Sequence, residues 1–153
     1  MTEHLFYHLE HKALEAVLPG LLETCLQRDW RSVICADEPA ALAALSPLLW
    51  SARDNSFLAH AVEGDSSMEA FKADQPIWLS CSQENPNGAY VLFRIGTAEA
   101  AISEAFQRFV YLFDGRDNEA VASARAQWTR LKDAGLSPTY WQQTIEGKWE
   151  KRG

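Results

Sequence analysis

The chain has 153 residues, enough for one domain with a sizeable core. Hydrophobic residues at 47% and charged residues at 23% are ordinary for a soluble globular protein, and no apolar run reaches membrane-spanning length. A formal net charge of -7 argues against nonspecific binding of duplex DNA, which needs many phosphate contacts by Lys and Arg.

The opening residues, MTEHLFYHLEH, lack a basic-then-apolar signal pattern, so a cytoplasmic location without membrane contact is expected. Residues 5–9, LFYHL, read as a first strand. Residues 12–28 are helical in pattern. Pro19 interrupts them and predicts either a kink or a helix that begins near Leu18. Residues 30–36, WRSVICA, read as a second strand. Asp37 and Glu38 then stand before Pro39, where they can cap a helix through AALAALSPLLW whose end Pro47 disturbs.

Residues 51–56 are polar loop, and 57–62 a short strand or extended connection. Residues 76–82 and 90–95 are strands, separated by the turn cluster QENPNG. Residues 102–113 read as a helix with Ile102, Phe106, Phe109, Val110 and Phe113 on one side. The residues after Gly135 carry Tyr140, Trp141 and Trp149, and suggest a small hairpin or an extended tail on the body. Strands alternating with helices predict one α/β domain over residues 1–153, with 136–153 as a packed C-terminal tail. The expected sheet is mostly parallel, with helices on both faces.

Residues 113–135, FDGRDNEAVASARAQWTRLKDAG, hold the most informative stretch. Asp117 or Asn118 can cap a helix, Glu119 suits its positive first turn, and Gly135 ends it. At about 100° per residue, Ala120, Ala124 and Leu131 form the core side. Arg125, Thr129 and Lys132 fall together on another side, with Val121 and Trp128 on the border. Such a face is either a solvated charged side or a cationic ledge walled by an indole. A ledge of that kind suits a peptide end bearing a carboxylate and a hydrophobic side chain. Leu49, Trp50 and Phe57 flank the 51–56 loop and are either core or an aromatic anchor for a partner.

Catalytic and cofactor motifs are absent. No GxxxxGK[ST] or GxGxxG follows any predicted strand, and the first strand leads into EHKALEAV without a glycine. His4, His8 and His11 lack a Cys or carboxylate pattern that would complete a zinc site, and read as solvent-facing terminal residues. His60 reads as a hydrogen-bonded structural residue, since no GxSxG supplies a nucleophile. Cys25, Cys35 and Cys81 form no CxxC pair and read as buried thiols. No metal or cofactor is expected. Two alternatives stay open. One is a nucleotide-binding enzyme of degenerate motif, with a deep pocket at the strand carboxyl ends near Asp37. The other is a direct single-stranded nucleic-acid binder that stacks bases on Trp and Tyr.

An ordered set of short stretches resembles the chi subunit family of bacterial DNA polymerase III, accessories of the clamp loader. They are Phe6-Tyr7-His8-Leu9; Leu18-Pro19-Gly20-Leu21-Leu22; Trp30-Arg31; Leu49-Trp50; Ser56-Phe57-Leu58-Ala59-His60; Gln75-Pro76-Ile77; Phe113-Asp114-Gly115-Arg116-Asp117; Ala124-Arg125 with Trp128; and Tyr140-Trp141-Gln142-Gln143 with Gly147-Lys148-Trp149. The resemblance implies a nucleotide-binding-like α/β topology without a phosphate loop, and a non-enzymatic role in DNA replication. Its implied partner is the acidic, Phe-ended C-terminal tail of single-stranded DNA-binding protein (SSB), which would connect the clamp loader to DNA indirectly. Carried over by position, Arg125 would pair with the tail's carboxylates and Trp128 would wall the pocket for its phenylalanine. Lys132 would add positive potential, and Val121 would lie beside them. Thr129 stands where some members have Lys, which implies a less cationic site. Trp50 and Phe57 match aromatic contacts to the psi subunit, or here to another partner.

Overall fold

A computed structural model describes residues 2–10, 13–50, 60–63, 72–102, 104–146 and 148–152, without the side chains of Trp50 and Ala61. The elements in chain order are β1 (Glu3–Leu9), α1 (Leu14–Gln27), β2 (Ser32–Cys35), α2 (Pro39–Trp50), β3 (Ala61–Val62), a 3-10 turn (Lys72–Asp74), β4 (Ile77–Ser80), β5 (Val91–Arg94), β6 (Arg108–Asp114), α3 (Asn118–Asp133), β7 (Thr139–Gln143) and β8 (Trp149–Lys151). The strands form one sheet in the order β3-β4-β2-β5-β6-β1-β7-β8. Every pairing is parallel except β7 with β8.

The crossovers explain which face each helix covers. The β1–α1–β2 connection passes over β6 and β5 in one direction along the sheet. The β6–α3–β7 connection passes over β1 in the opposite direction. Right-handed crossovers running opposite ways must lie on opposite faces. The two cores agree with this. Leu18, Leu22 and Cys25 of α1 and Leu42, Leu45 and Leu49 of α2 pack with Leu5, Ile34 and Val110. Ala120 and Leu131 of α3 pack with Phe6, Val33, Phe109 and Tyr111. Along β1, then, Leu5 faces one layer and Phe6 the other, as strand alternation requires.

Three sequence expectations change, at β6, α1 and α2. Residues 108–114 are a strand, not the end of a helix. RFVYLFD is buried on both sides, so it is a continuous apolar run, and such a run imitates helical periodicity over a short window. Helix α1 starts at Leu14 rather than near Leu18 and continues through Pro19. Helix α2 likewise continues through Pro47 to Trp50. Of the two readings for the residues after Gly135, the small hairpin holds: β7 extends the sheet beside β1, and β8 folds back antiparallel on β7.

Asp37 does not serve as a helix cap. Its carboxylate accepts from the Arg94 guanidinium and from the backbone N–H groups of Thr97 (2.8 Å) and Ala98 (3.2 Å). Gly96 makes this possible: its φ is +102°, and a Cβ there would overlap the carboxylate. The Arg94 side chain is 7% exposed, so the pair clamps the carboxyl ends of β2 and β5 together. Burial pushes the Asp37 carboxyl upward, but Arg94 and the two N–H groups outweigh it and hold the pKa below its ordinary value. The carboxylate therefore stabilises the fold above the ordinary carboxylate pKa, and that stability is lost as pH falls through the lowered folded value. Asp37→Ala should cost about 3 kcal/mol by leaving a buried guanidinium unpaired. Urea titrations from neutral pH to pH 3 would check both the size and the acid-side loss, which the variant should lack.

Candidate functional site

Helix α3 is built as its sequence signals suggest. Asp117 is the N-cap, and its carboxylate accepts from the N–H of Glu119 (3.0 Å) and of Ala120 (3.3 Å). Gly135, with φ at +82°, turns the chain after the last turn. Ala120, Gln127 and Leu131 are buried, and Leu131 anchors the helix in the core. Ser123 donates to the Thr97 carbonyl (2.7 Å), which fixes the helix to the loop after β5.

Between α3 and the sheet lies a cleft of about 390 Å³, lined by Phe6, His8, Phe113, Val121, Ala124, Arg125, Trp128, Thr129 and Tyr140. This volume falls within the roughly 300–1,000 Å³ of ordinary ligand pockets. Trp128 meets Phe6 edge-on at 5.3 Å and Tyr140 at 6.4 Å. Lys132 Nζ lies 5.5 Å from the Trp128 ring centre, a cation–π contact that leaves the ammonium on the rim. Arg125 is exposed and makes no ion pair among the described residues. The Thr129 hydroxyl donates back to the Arg125 carbonyl (3.1 Å). Four of the five residues singled out on this helix, Val121, Arg125, Trp128 and Thr129, thus line one cleft, and Lys132 borders it. Ala124, expected in the core, is half-buried and forms part of the cleft wall.

The sheet side of the cleft escaped the sequence reading. Phe6 and His8 are two apart on β1 and so face α3 together. The sequence pattern puts Phe113 in a helix and Tyr140 in a small hairpin or an extended tail. Strand alternation on β1, with α3 as the covering helix, is the signal that could have found Phe6 and His8. His4 and His8 are not solvent-facing, because β1 is an interior strand. His4 is buried and stacks on Phe109 at 5.8 Å. His8 Nδ1 shares a hydrogen bond with the Tyr140 hydroxyl, and the ring stacks on Phe113 at 5.0 Å. Burial lowers both imidazole pKa values; for His8 the nearby Glu10 and Asp114 offset part of the drop. Tyr140 is pushed up by burial and Glu10, with Arg125 pulling the other way. His11 lies outside the described residues.

The other candidates are placed as follows. His60 is buried and hydrogen-bonds Ser46 Oγ through Nε2 (2.8 Å). Cys25 and Cys35 are buried, Cys81 is half-buried, and all three are free thiols. Leu49 is buried in the core, which removes it from any exposed anchor. Trp50 is the last residue of α2, on the face opposite α3, and Phe57 lies outside the described residues. A second, open cleft of about 320 Å³ lies near Asp37, lined also by Leu14, Glu38 and Gly96. It is a poor phosphate site: two carboxylates border it, and Asp37 already occupies the N–H groups of Thr97 and Ala98. Among the described residues, no group of His, Cys, Asp and Glu could hold a metal ion, and no helix is long and apolar enough to cross a membrane.

Fold and site together define an α/β protein with helices on both sheet faces and an apolar, cation-rimmed cleft under its last helix. The family described as "DNA polymerase III chi subunit, HolC" matches residues 1–139. The chain belongs to that family, which is non-catalytic. It is similar to the "Probable DNA polymerase III subunit chi" of Rickettsia prowazekii (strain Madrid E), at 25% identity over 113 residues. That match covers 74% of this chain and 66% of the relative, so the chain spans just under two thirds of the relative's length.

Gly115 leaves room for His8, which lines the cleft. A Cβ at this position would land inside the His8 imidazole, which Phe113 and Tyr140 hold in place. Gly115→Ala should displace His8 and lower stability by about 1–3 kcal/mol, the range for overpacking. Thermal melts would give the size, and loss of the His8–Tyr140 contact should appear in the histidine NMR signals. The lowered His4 and His8 pKa values also set a sign. Stability should be complete above the ordinary imidazole value of 6.5 and fall as pH drops below it, because the unfolded chain then binds more protons. Replacing His8 by Gln should flatten part of that slope in denaturant melts.

Proposed function

We propose that this chain is an adaptor of the replicative polymerase whose α3 cleft receives the acidic, Phe-ended C-terminal tail of SSB. The observation that carries the reading is the aromatic cleft with, at its rim, a guanidinium that makes no ion pair among the described residues. The terminal phenylalanine enters the cleft against Trp128 and Tyr140, with Val121 and Phe6 beside it. Arg125 takes the terminal carboxylate as a two-pronged donor. Lys132 adds positive potential that draws acidic residues toward the rim, in a protein that otherwise repels them. Thr129 offers a hydroxyl where a cation would bind more strongly. Trp50 and Phe57 serve a separate contact, to the psi subunit or to another partner. Through these two contacts the chain ties SSB-coated DNA to the clamp loader.

The test is titration of a synthetic acidic peptide ending in phenylalanine, against the same peptide as its C-terminal amide. Arg125→Ala should weaken the free-acid peptide about tenfold or more, as a charge-assisted hydrogen bond of about 1.5–3 kcal/mol implies. It should barely affect the amide. Binding should also weaken as salt rises. Equal affinity of both peptides for the native chain, or no effect of Arg125→Ala, would sink the assignment.

A further inference from the structure

Beyond the tail site, a second set of cations gathers on the opposite side of the sheet. Arg28 follows the last residue of α1, Trp30 precedes β2, Tyr90 precedes β5, and Arg108 opens β6. These four lie at the amino ends of the parallel strands, because α1 runs antiparallel to them. Tyr90 stacks on Trp30 with ring centres 4.2 Å apart and planes at 12°, so it covers one face of the indole. The guanidinium carbons of Arg28 and Arg108 lie 4.9 and 5.1 Å from the same Trp30 ring. Two like charges are therefore held against one aromatic ring, in a chain with 21 acidic residues to choose from as partners.

Those charges are incompletely matched. Arg28 is exposed and makes no ion pair among the described residues. Among the described residues Arg108 has only Glu3, at 3.5 Å, and the Glu3 side chain is 60% exposed. The same Nε makes that ion pair, and among the described residues it has no hydrogen-bond partner. Both arginines and Tyr7 line a cleft of about 170 Å³ between α1 and the sheet. A guanidinium pair over an indole is a preorganised receptor for an oxyanion, because the ring holds the planes without consuming their N–H donors.

We infer that this cleft is a second binding site, and that it takes the phosphates of single-stranded DNA. Tyr90 decides between phosphate and carboxylate. It is half-buried, and among the described residues its only ring neighbour is Trp30. Its outer face can therefore extend the Trp30–Tyr90 stack with a base, while the two guanidiniums hold adjacent phosphates. An acidic peptide would use the arginines and leave that face bare. The net charge of -7 keeps the affinity low and confines the contact to strands already held nearby by a bound partner. The site shares no residue with the α3 cleft.

The experiment titrates fluorescently labelled oligothymidylate into the full chain at several salt concentrations and reads anisotropy. Two phosphate contacts predict a slope of log affinity on log salt near -1.4, at about -0.7 per contact on single strands. Arg28→Ala, an exposed change, should flatten the slope by about 0.7. Tyr90→Leu should weaken binding and leave the slope alone. Arg125→Ala should change nothing here, which separates this site from the tail site. In parallel, NMR of the indole N–H signals should show oligothymidylate moving Trp30 and not Trp128. No binding at low salt, or a slope unaffected by Arg28→Ala, would overturn the site. Movement of Trp30 by an acidic peptide with none by oligothymidylate would reassign it to carboxylates and overturn the DNA reading.

Discussion

The position of β1 between β6 and β7 is the constraint on which the rest of the molecule depends. β1 pairs in parallel with both neighbours over most of its length. An interior strand has no face to spare for water, so EHLFYHL must supply apolar or partnered side chains to two cores at once. It does so by alternation. Leu5 and Tyr7 face the α1 layer, and His4, Phe6 and His8 face α3. The crossover from β6 to β7 then has to pass over β1, which lays α3 across Phe6 and His8. The cleft is the gap that remains where α3 presents only the small side chains of Val121 and Ala124 toward those rings.

Charge is handled differently in the two halves. At the carboxyl ends of β2 and β5, positive donors are answered internally: Asp37 satisfies Arg94 and two backbone N–H groups. Along α3 and at the amino ends of the strands, Arg125, Lys132 and Arg28 are left without carboxylates among the described residues. A protein with this excess of acid could have neutralised them at little cost. Aromatic rings support Lys132 and Arg28 in place of counter-ions. Rings stabilise a cation without occupying its hydrogen-bond donors, so both charges stay available to an incoming group.

Much of the architecture was legible in the sequence, but unevenly. Helix α3 could be read almost to the residue, since Asp117, Glu119 and Gly135 mark its ends and small residues mark its inner side. The helix side of the cleft followed from that periodicity. The sheet side did not, because Phe6, Phe113 and Tyr140 meet only through strand pairings far apart in the chain, which no local pattern records. β6 was misread for a related reason: a strand buried on both faces loses the alternation that identifies strands. The histidines of β1 were misjudged from their place near the start of the chain, although His8 sits against Phe113 and Tyr140 in the middle of the fold. Pro19 and Pro47 showed the limit of propensity, since packing of α1 and α2 on the sheet carries both helices past residues that would break them in isolation.

Tyr140 gives the cleft a further property. Phe6 on β1 and Tyr140 on β7 lie side by side on the sheet side of the cleft, so the cleft is complete only when the last parallel strand has docked. During synthesis a ribosome-bound chain would carry α3 before β7 emerges, with the cleft still unfinished. A captured ligand would in turn hold that closing strand in place, coupling occupancy of the cleft to the lifetime of the native state.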